Sequence, residues 1–330
     1  MNTNWKTFLL SQQQTLVDHE NNVFSPAIGN IGAKSIYPLT YLAVLTVTGK
    51  DAAKLLQGQV TCNVNDISVV KSSLAALCNP KGRAIATFLL VKRADTFLLV
   101  LPVELLETVK KRLQMYVLRS DVRITDSSDE LCLLGLCEPD KPAQPFVTEI
   151  QHDMIAVSLP ASTRRRLLIT DADNALRFWA EQVASQGFRM AGSGEWRYLD
   201  IISGIPWLTT ETSEEFIPQM LNLDKLGGIS FNKGCYTGQE IVARTHYLGK
   251  AKREMFLAEC QISAPPKPNS TIINRNSDAQ EGVGKVLLAQ LDRQNCKMLV
   301  ILQAVEPAYN NIALKDDNQA RLTLLPFAHD

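Results

Sequence analysis

The sequence lacks an apolar run long enough to cross a membrane and a signal for secretion. It also lacks the net positive charge that would attract the whole protein to nucleic acid. Lysine plus arginine and aspartate plus glutamate both number 34, so no overall field attracts a polyanion. The apolar runs are shorter than the roughly 18 residues that span a bilayer. The first residues lack the basic region, apolar stretch and cleavage site of a secretory signal. We therefore expect a cytoplasmic protein without membrane contact.

Paired cysteines and the usual nucleotide-binding loops are also missing. The seven cysteines are an odd, scattered set with no Cys-x-x-Cys pair and no histidine at zinc-ligand spacing, which predicts reduced thiols and no metal site. The glycine spacing fits neither a Walker nor a Rossmann loop. No strong repeat of roughly 20 to 50 residues suggests a solenoid.

A chain of 330 residues with 45% hydrophobic residues has enough apolar side chains for about two domains. A β-branched run at 42–48 predicts a strand that leads into a short helix. An antiparallel meander that turns at 79–82 is expected next. Apolar residues on one face then predict a helix from Val103 to Leu113.

The second half repeats this rhythm. Strands are expected over 154–159 and 166–170, followed by a helix over 171–186. The proline-rich segment 264–269 breaks the pattern, and only short apolar runs follow it. The last eighty or so residues therefore predict a small all-β domain.

Glycines and one cysteine concentrate between residues 227 and 244, in the sequence GGISFNKGCYTGQEIVAR. Glycines allow close backbone approach to a ligand or to another segment. Cys235 precedes a predicted short helix and is a neighbour of Lys233 in sequence, and both features favour a thiolate. Cys235 is thus a candidate reactive thiol, and the alternative is a small residue that packs a tight loop.

A local cationic excess surrounds this motif. Between Lys233 and Arg253 the chain has five lysines and arginines against Glu240 alone. With the interleaved aromatic residues, such a segment suits a polyglutamate tail or a single-stranded nucleic acid. A solvated basic face remains the alternative. Trp196 shares a helical face with Leu199 and Ile202, so without a planar ligand it is most simply a core residue.

The octapeptide KGCYTGQE at 233–240 resembles the signature of the YgfZ family, which is related to the glycine-cleavage T-protein (GcvT). Further matching segments lie at 47–49, 55–61, 196–206, 216–219 and 227–231. The resemblance implies an α+β fold with two pseudo-symmetric GcvT-like α/β subdomains and a C-terminal β-barrel, in a ring around a central channel. The implied divisions are an N-terminal arm (1–35), the first subdomain (36–138), the second subdomain with the motif (139–250) and the barrel (251–330).

The resemblance also implies a function. The protein is expected to bind tetrahydrofolate or another reduced folate and to support iron–sulfur enzymes, including radical enzymes that thiolate tRNA. Trp196 would stack on the folate ring, and Lys233 or Arg244 would meet its glutamate carboxylates. Cys235 would be the reactive centre. Contact with tRNA would be indirect.

Two departures bear on these expectations. The family has a pocket tryptophan at the position of Leu42, so one aromatic wall is absent here. T-protein enzymes carry carboxylates on the strand after the 79–82 turn, whereas Ala86 and Thr87 stand there. Without a carboxylate, proton handling in aminomethyl transfer has no obvious residue. Whether the protein is an enzyme thus stays open, and the alternatives are a folate-dependent one-carbon transferase and a tRNA-binding module.

Overall fold

The described residues form six α-helices and nineteen β-strands. The structure, a computed structural model, describes residues 1–12, 17–19, 22–24, 33–151, 153–249, 251–276, 282–304, 311–317 and 320–328. The helices are α1 (Thr3–Ser11), α2 (Ala52–Gln57), α3 (Leu106–Gln114), α4 (Ala172–Ala184), α5 (Ser193–Ile202) and α6 (Gln239–Tyr247). Short 3₁₀ turns span Val64–Asp66, Val103–Leu105 and Pro218–Leu221.

The strands, in chain order, are β1 (Val17–His19), β2 (Asn22–Phe24), β3 (Ser35–Pro38), β4 (Leu42–Thr48), β5 (Ser73–Cys78), β6 (Ala84–Arg93), β7 (Thr96–Pro102), β8 (Arg123–Asp126), β9 (Leu131–Glu138), β10 (Thr148–Gln151), β11 (Met154–Ser158), β12 (Arg164–Asp171), β13 (Arg189–Met190), β14 (Arg253–Gln261), β15 (Thr271–Asn274), β16 (Gly282–Asp292), β17 (Asn295–Gln303), β18 (Ile312–Leu314) and β19 (Thr323–Leu325). Apart from the β1–β2 hairpin, they form three larger sheets.

The first sheet has the order β5-β6-β7-β4-β8. Strands β5, β6 and β7 form the expected antiparallel meander, with Arg93 paired to Thr96 across its second turn. Helix α3 buries Leu106, Val109 and Leu113. The meander and this helix, both expected from apolar periodicity, are confirmed.

The second sheet has the order β10-β11-β12-β9-β3-β13. Strand β9 ends the first subdomain that the resemblance implies, and it pairs along its whole length with β12, which the resemblance places in the second. Strand β3 pairs with the other side of β9. An apolar run does not identify its partner strand, so the sequence alone could not predict this pairing.

The N-terminal arm begins with a docked helix. The Asn2 side chain accepts a hydrogen bond from the Trp5 amide at 3.1 Å and caps α1. The Trp5 ring is buried, with its centroid 5.6 Å from that of Trp179 on α4. Residues 3–11 of the arm therefore form an ordered helix, which the buried side chains of Trp5 and Leu9 anchor. Most of the rest of the arm lies outside the described residues.

The C-terminal region forms a curled half-barrel with the strand order β18-β15-β16-β17-β14-β19. Register shifts at Ile272/Ile273 and Val286/Leu288 mark β-bulges, which bend a sheet. One face buries its own apolar cluster, and the other packs Met255, Leu257 and Ile301 into the main core. The α+β class and the β-rich C-terminal region are thus confirmed. No helix among the described residues is long and apolar enough to cross a bilayer.

Candidate functional site

The 227–240 loop packs closely on the β5–β6 turn of the first sheet, and a glycine on each side, Gly238 and Gly82, permits the contact. Gly238 precedes α6 with φ of +83°, and a Cβ there would lie 2.5 Å from the Asn79 carbonyl oxygen. Gly82, with φ of +71°, faces Ile241, whose Cβ would be 2.7 Å from a Cβ at Gly82. Only glycine allows both the positive φ and the approach. The start of α6 is therefore fixed on the β5–β6 turn.

Polar contacts fix the rest of the loop. The Thr61 hydroxyl donates to the Gly228 carbonyl at 2.7 Å, and the Ser230 amide donates to the Thr61 carbonyl at 2.9 Å. The Thr237 hydroxyl donates to the Gln59 side-chain oxygen at 3.2 Å. The matched segment 55–61 therefore holds the motif in place.

Lys233 reaches beneath its own loop. Its ammonium donates to the carbonyl oxygens of Val60 at 2.6 Å and Cys62 at 2.7 Å, and it lies 4.9 Å from the centroid of the Tyr236 ring. Burial lowers the pKa of Lys233 to about 8, because a desolvated ammonium is less stable than the neutral amine. The neighbouring thiol of Cys62 opposes this shift. Lys233 thus joins the loop to the segment that follows α2. It does not line the large cleft beside α6.

This lowered pKa predicts a pH-dependent stability. Between pH 8 and the ordinary value of 10.5, the unfolded chain holds the Lys233 proton and the folded chain does not, so stability rises with pH in that window. Urea unfolding at pH 7.5 and 9.5 should therefore show a wild-type advantage over Lys233→Met that grows with pH. A constant or shrinking difference would show that Lys233 keeps an ordinary pKa.

Cys235 is the one exposed cysteine; the other six are buried, and all seven lie in described residues. Within the described part of the chain, no hydrogen bond joins Lys233 to the Cys235 thiol, because the ammonium is committed to the carbonyls of Val60 and Cys62. The helix begins four residues after Cys235, beyond the first turn where its dipole acts. The structure therefore gives Cys235 the exposure that a reactive thiol needs, without the expected support from Lys233.

Trp196 lies in the core with no exposed surface. The Arg165 guanidinium covers its ring at 4.0 Å from the centroid, and the Tyr37 ring centroid lies 5.2 Å away. A Cβ at Gly135 would lie 2.4 Å from its six-membered ring. Folate stacking on Trp196 stays a prediction, but the structure offers no open face of this ring.

The other two predicted folate-binding positions, Leu42 and Arg244, lie in different surroundings. Leu42 is buried on β4, does not line the large cleft, and lines a cavity of about 40 Å³ beside Trp5. Arg244 is exposed on α6 and does not line the large cleft. The structure therefore does not bring Trp196, Leu42, Lys233 and Arg244 together around one cavity.

A cleft of about 1480 Å³ lies between the β5–β6 turn, the segment from Glu215 to Lys225, α6 and the C-terminal half-barrel. We call it the central cleft. Six lysines and arginines line it against three carboxylates, and one of these cations, Lys225, is paired with Glu254. The remaining cations are Lys81, Arg83, Lys252, Arg253 and Lys285. Such a lining favours an anionic ligand.

Two amide side chains also line this cleft. Gln219 donates to the Val242 carbonyl on α6 at 2.6 Å, and Asn222 donates to the Met255 carbonyl on β14 at 2.9 Å. Sequence reasoning gave neither residue a role, although Gln219 ends the matched segment 216–219. Lys252 belongs to the cationic excess between Lys233 and Arg253, which does not single it out. Gln219 lies in a matched segment and Lys252 in the cationic segment, so the sequence did mark both regions. It could not show that the two regions meet at one cleft.

The comparisons with known proteins agree with this architecture. The profile of the GCVT N-terminal domain matches residues 33–163. Aminomethyltransferase T of the glycine cleavage system from Bartonella henselae superimposes with a TM-score of 0.78 at 11% identity, covering 100% of this chain and 98% of that chain. The fold is therefore that of the glycine-cleavage T-protein class.

Sequence similarity is more specific. The tRNA-modifying protein YgfZ of Colwellia psychrerythraea is 31% identical over 84% of this chain and 88% of its own length. The same protein is 30% identical in Edwardsiella ictaluri, over 88% and 93%, and 31% identical in Klebsiella pneumoniae, over 88% and 94%. The chain belongs to the YgfZ family, as the 233–240 signature predicted.

Proposed function

We propose that this protein binds a reduced folate in the central cleft and acts as an accessory factor for tRNA modification. The proposal rests on the cationic lining of this cleft, which lies between the β5–β6 turn, α6 and the C-terminal half-barrel. A folate combines a flat ring with an anionic glutamate tail, which such a lining suits. Lys252, Arg253 and Lys285, which line the cleft, would hold the tail. When bound, a reduced folate would supply a one-carbon carrier. The name of the YgfZ relatives, tRNA-modifying protein, supports the cellular role.

As an accessory factor, the protein would support iron–sulfur enzymes in the cytoplasm, including radical enzymes that thiolate tRNA. Among the described residues, no three His, Cys, Asp or Glu side chains converge to hold a metal ion. In this proposal the cluster belongs to the client enzyme, and Cys235 is the candidate residue that meets the client. Any effect on tRNA would then be indirect.

The strand after the 79–82 turn argues against the transferase alternative. The buried Thr87 hydroxyl donates to the Pro206 carbonyl at 2.5 Å and accepts from the Leu208 amide at 3.2 Å. Both of its hydrogen-bonding roles are thus used by backbone, and Ala86 has none. These two positions therefore supply no group for proton transfer to an aminomethyl substrate.

Calorimetric titration with tetrahydrofolate tests the proposal. We expect saturable binding to the wild type, weakened about tenfold or more by Lys252→Glu with Arg253→Glu, because two charges at the cleft are reversed. Lys54→Glu, at an exposed site away from the cleft, is the matched control and should bind like the wild type. An absence of tetrahydrofolate binding together with steeply salt-dependent tRNA affinity would instead support the tRNA-binding module.

A further inference from the structure

The turn that follows α3 holds a leucine in a backbone conformation that favours glycine. The Ser120 amide donates to the Val117 carbonyl at 2.7 Å and closes a four-residue turn. Leu118, at the second position of this turn, has φ of +43°. Glycine, asparagine and aspartate dominate turns with a positive φ at that position, because in the left-handed region a Cβ comes too close to the backbone. Leucine is therefore an unfavourable residue here.

Packing within the chain does not compensate for this conformation. Leu118 is 88% exposed, and Met115, three residues earlier, is 62% exposed. A strained residue persists where the surrounding structure holds it in place, and such residues concentrate at functional sites. A leucine that is both strained and exposed indicates that its side chain acts outside the chain, against another molecule.

Backbone contacts with the start of α2 hold the turn. The Asp121 amide donates to the Asp51 carboxylate at 2.9 Å, and the Asp51 amide donates to the Asp121 carbonyl at 3.2 Å. Gly49 lies so close that a Cβ there would overlap the Asp121 carbonyl oxygen. The backbone that carries Leu118 is thus fixed before any partner binds, which lowers the entropic cost of docking.

The surroundings of Leu118 are cationic. The segments 49–54 and 118–123, which these contacts join, carry two carboxylates against four exposed lysines and arginines, namely Lys50, Lys54, Arg119 and Arg123. A shallow hollow beside Leu118 is lined by Lys54 and Arg119. An apolar side chain with a cationic border is complementary to an apolar pocket bordered by carboxylates.

Helix α2 connects this turn with the motif loop. The turn is held at the start of α2, and beyond its other end the Thr237 amide donates to the Gly58 carbonyl at 3.3 Å. The six residues of α2 rise by about 9 Å. A standard protein interface covers roughly 800 Å² of each partner. Such an area is wide enough to include both Leu118 and the exposed Cys235.

We infer that Leu118 is a preformed apolar anchor for a protein partner, the iron–sulfur client that Cys235 meets. This inference rests on the proposed function and names the surface on which that client docks. The client offers an apolar pocket bordered by carboxylates. A single-stranded RNA would instead stack its bases on aromatic side chains, and neither Leu118 nor Met115 is aromatic.

Two measurements on Leu118 variants test the inference, because stability and docking should change in opposite directions. Urea unfolding should show a higher midpoint for Leu118→Gly, since glycine adopts the positive φ without strain. Calorimetric titration with a purified radical enzyme that thiolates tRNA, loaded with its cluster, should show binding to the wild type. Leu118→Gly should weaken this binding about tenfold or more. Leu118→Met keeps an apolar side chain and should bind the enzyme nearly as tightly as the wild type.

Val70→Asn is the matched control. Val70 is 64% exposed in the turn at 68–71 and has no positive φ, so this variant should gain no stability and should bind the enzyme like the wild type. Lys54→Glu with Arg119→Glu should weaken binding to the enzyme and reduce its salt dependence, because the charges that attract carboxylates are reversed. Unchanged binding by this double variant would contradict the carboxylate border.

Tetrahydrofolate titration keeps the two claims apart, since Leu118 does not line the central cleft. If the wild type binds tetrahydrofolate but Leu118→Gly binds the enzyme unchanged, or unfolds at a lower midpoint, the inference is wrong and the proposed function stands. Binding of the wild type to vesicles of phosphatidylcholine and phosphatidylglycerol, but not to the enzyme, would assign the turn to a membrane and also overturn the inference. If the wild type binds neither tetrahydrofolate nor the enzyme, both claims fail.

Discussion

Replacing Asp200 with alanine is expected to lower the free energy of unfolding by about 3–5 kcal/mol, because it leaves a buried charge without its partner. Asp200 and Arg165 are each about 1% exposed and form an ion pair. The Asp200 carboxylate also accepts hydrogen bonds from the Tyr41 hydroxyl at 2.5 Å and the Trp207 indole at 2.8 Å. The variant would leave the guanidinium and these two donors unpaired at once.

The position of Asp200 explains the size of the effect. The carboxylate joins α5 to β12 through Arg165 and to the residue before β4 through Tyr41. Burial, and secondly the negative charge of Asp200, raise the pKa of Tyr41 well above its usual range. The tyrosine therefore remains a proton donor at neutral pH, and the network holds the two sheets together.

Urea unfolding followed by tryptophan emission measures the change as a shift in midpoint at constant slope. The double variant Asp200→Leu with Arg165→Met should be more stable than Asp200→Ala, because no unpaired charge remains. The control Glu107→Gln removes the exposed pair of Glu107 with Lys110 and should cost about 0.5 kcal/mol or less. Equal losses for Asp200→Ala and Glu107→Gln would contradict the buried network.

Turn sequences and apolar periodicity predicted the elements whose stability depends on residues close in sequence. The β5–β7 meander and α3 each follow from a turn sequence or one apolar face, and the start of α6 follows from the glycine before it. The partner of β9 could not be predicted in this way. Leu133 and Leu134 would be buried in either sheet, and only the long-range pairing with β12 decides between them.

The candidate site was predicted in part for the same reason. The motif loop and its exposed cysteine follow from the glycine pattern and the family signature. The positions of Lys233 and Trp196 depend on packing partners far away in sequence, the Val60 carbonyl and Arg165. Gln219 and Asn222 look like ordinary polar residues until α6 and β14 surround them. Neither hydrophobic periodicity nor residue type predicts burial by segments that are distant in sequence.

Alkylation of the native protein is expected to label Cys235 about tenfold or more faster than any other cysteine, because a buried sulfur is inaccessible to the reagent. Burial also raises the pKa of the other six thiols, to about 12 for Cys62, Cys78, Cys132 and Cys296 and to about 11 for Cys260, with Cys137 raised as well. These thiols therefore hold little thiolate near neutral pH. Pulse labelling with iodoacetamide and peptide mapping gives the seven rates.

The proposed function extends this prediction to cells. Cys235 lies outside the central cleft, so Cys235→Ser should fold and bind tetrahydrofolate like the wild type. It should nevertheless fail to restore thiolated tRNA in cells that lack the native protein, because the thiol that meets the client is gone. The control Asn232→Ala, three residues earlier on the exposed part of the same loop, should restore thiolation.

Two results would assign Cys235 to loop packing alone. One is full restoration of tRNA thiolation by Cys235→Ser, and the other is slower labelling of Cys235 than of the six buried thiols. A Cys235→Ser protein that loses tetrahydrofolate binding and thermal stability together would point to the same conclusion, because a residue that only reacts with a client leaves the fold and the cleft intact. Loss of thiolation with folate binding and stability unchanged is the combination that a reactive thiol on a well-anchored loop requires.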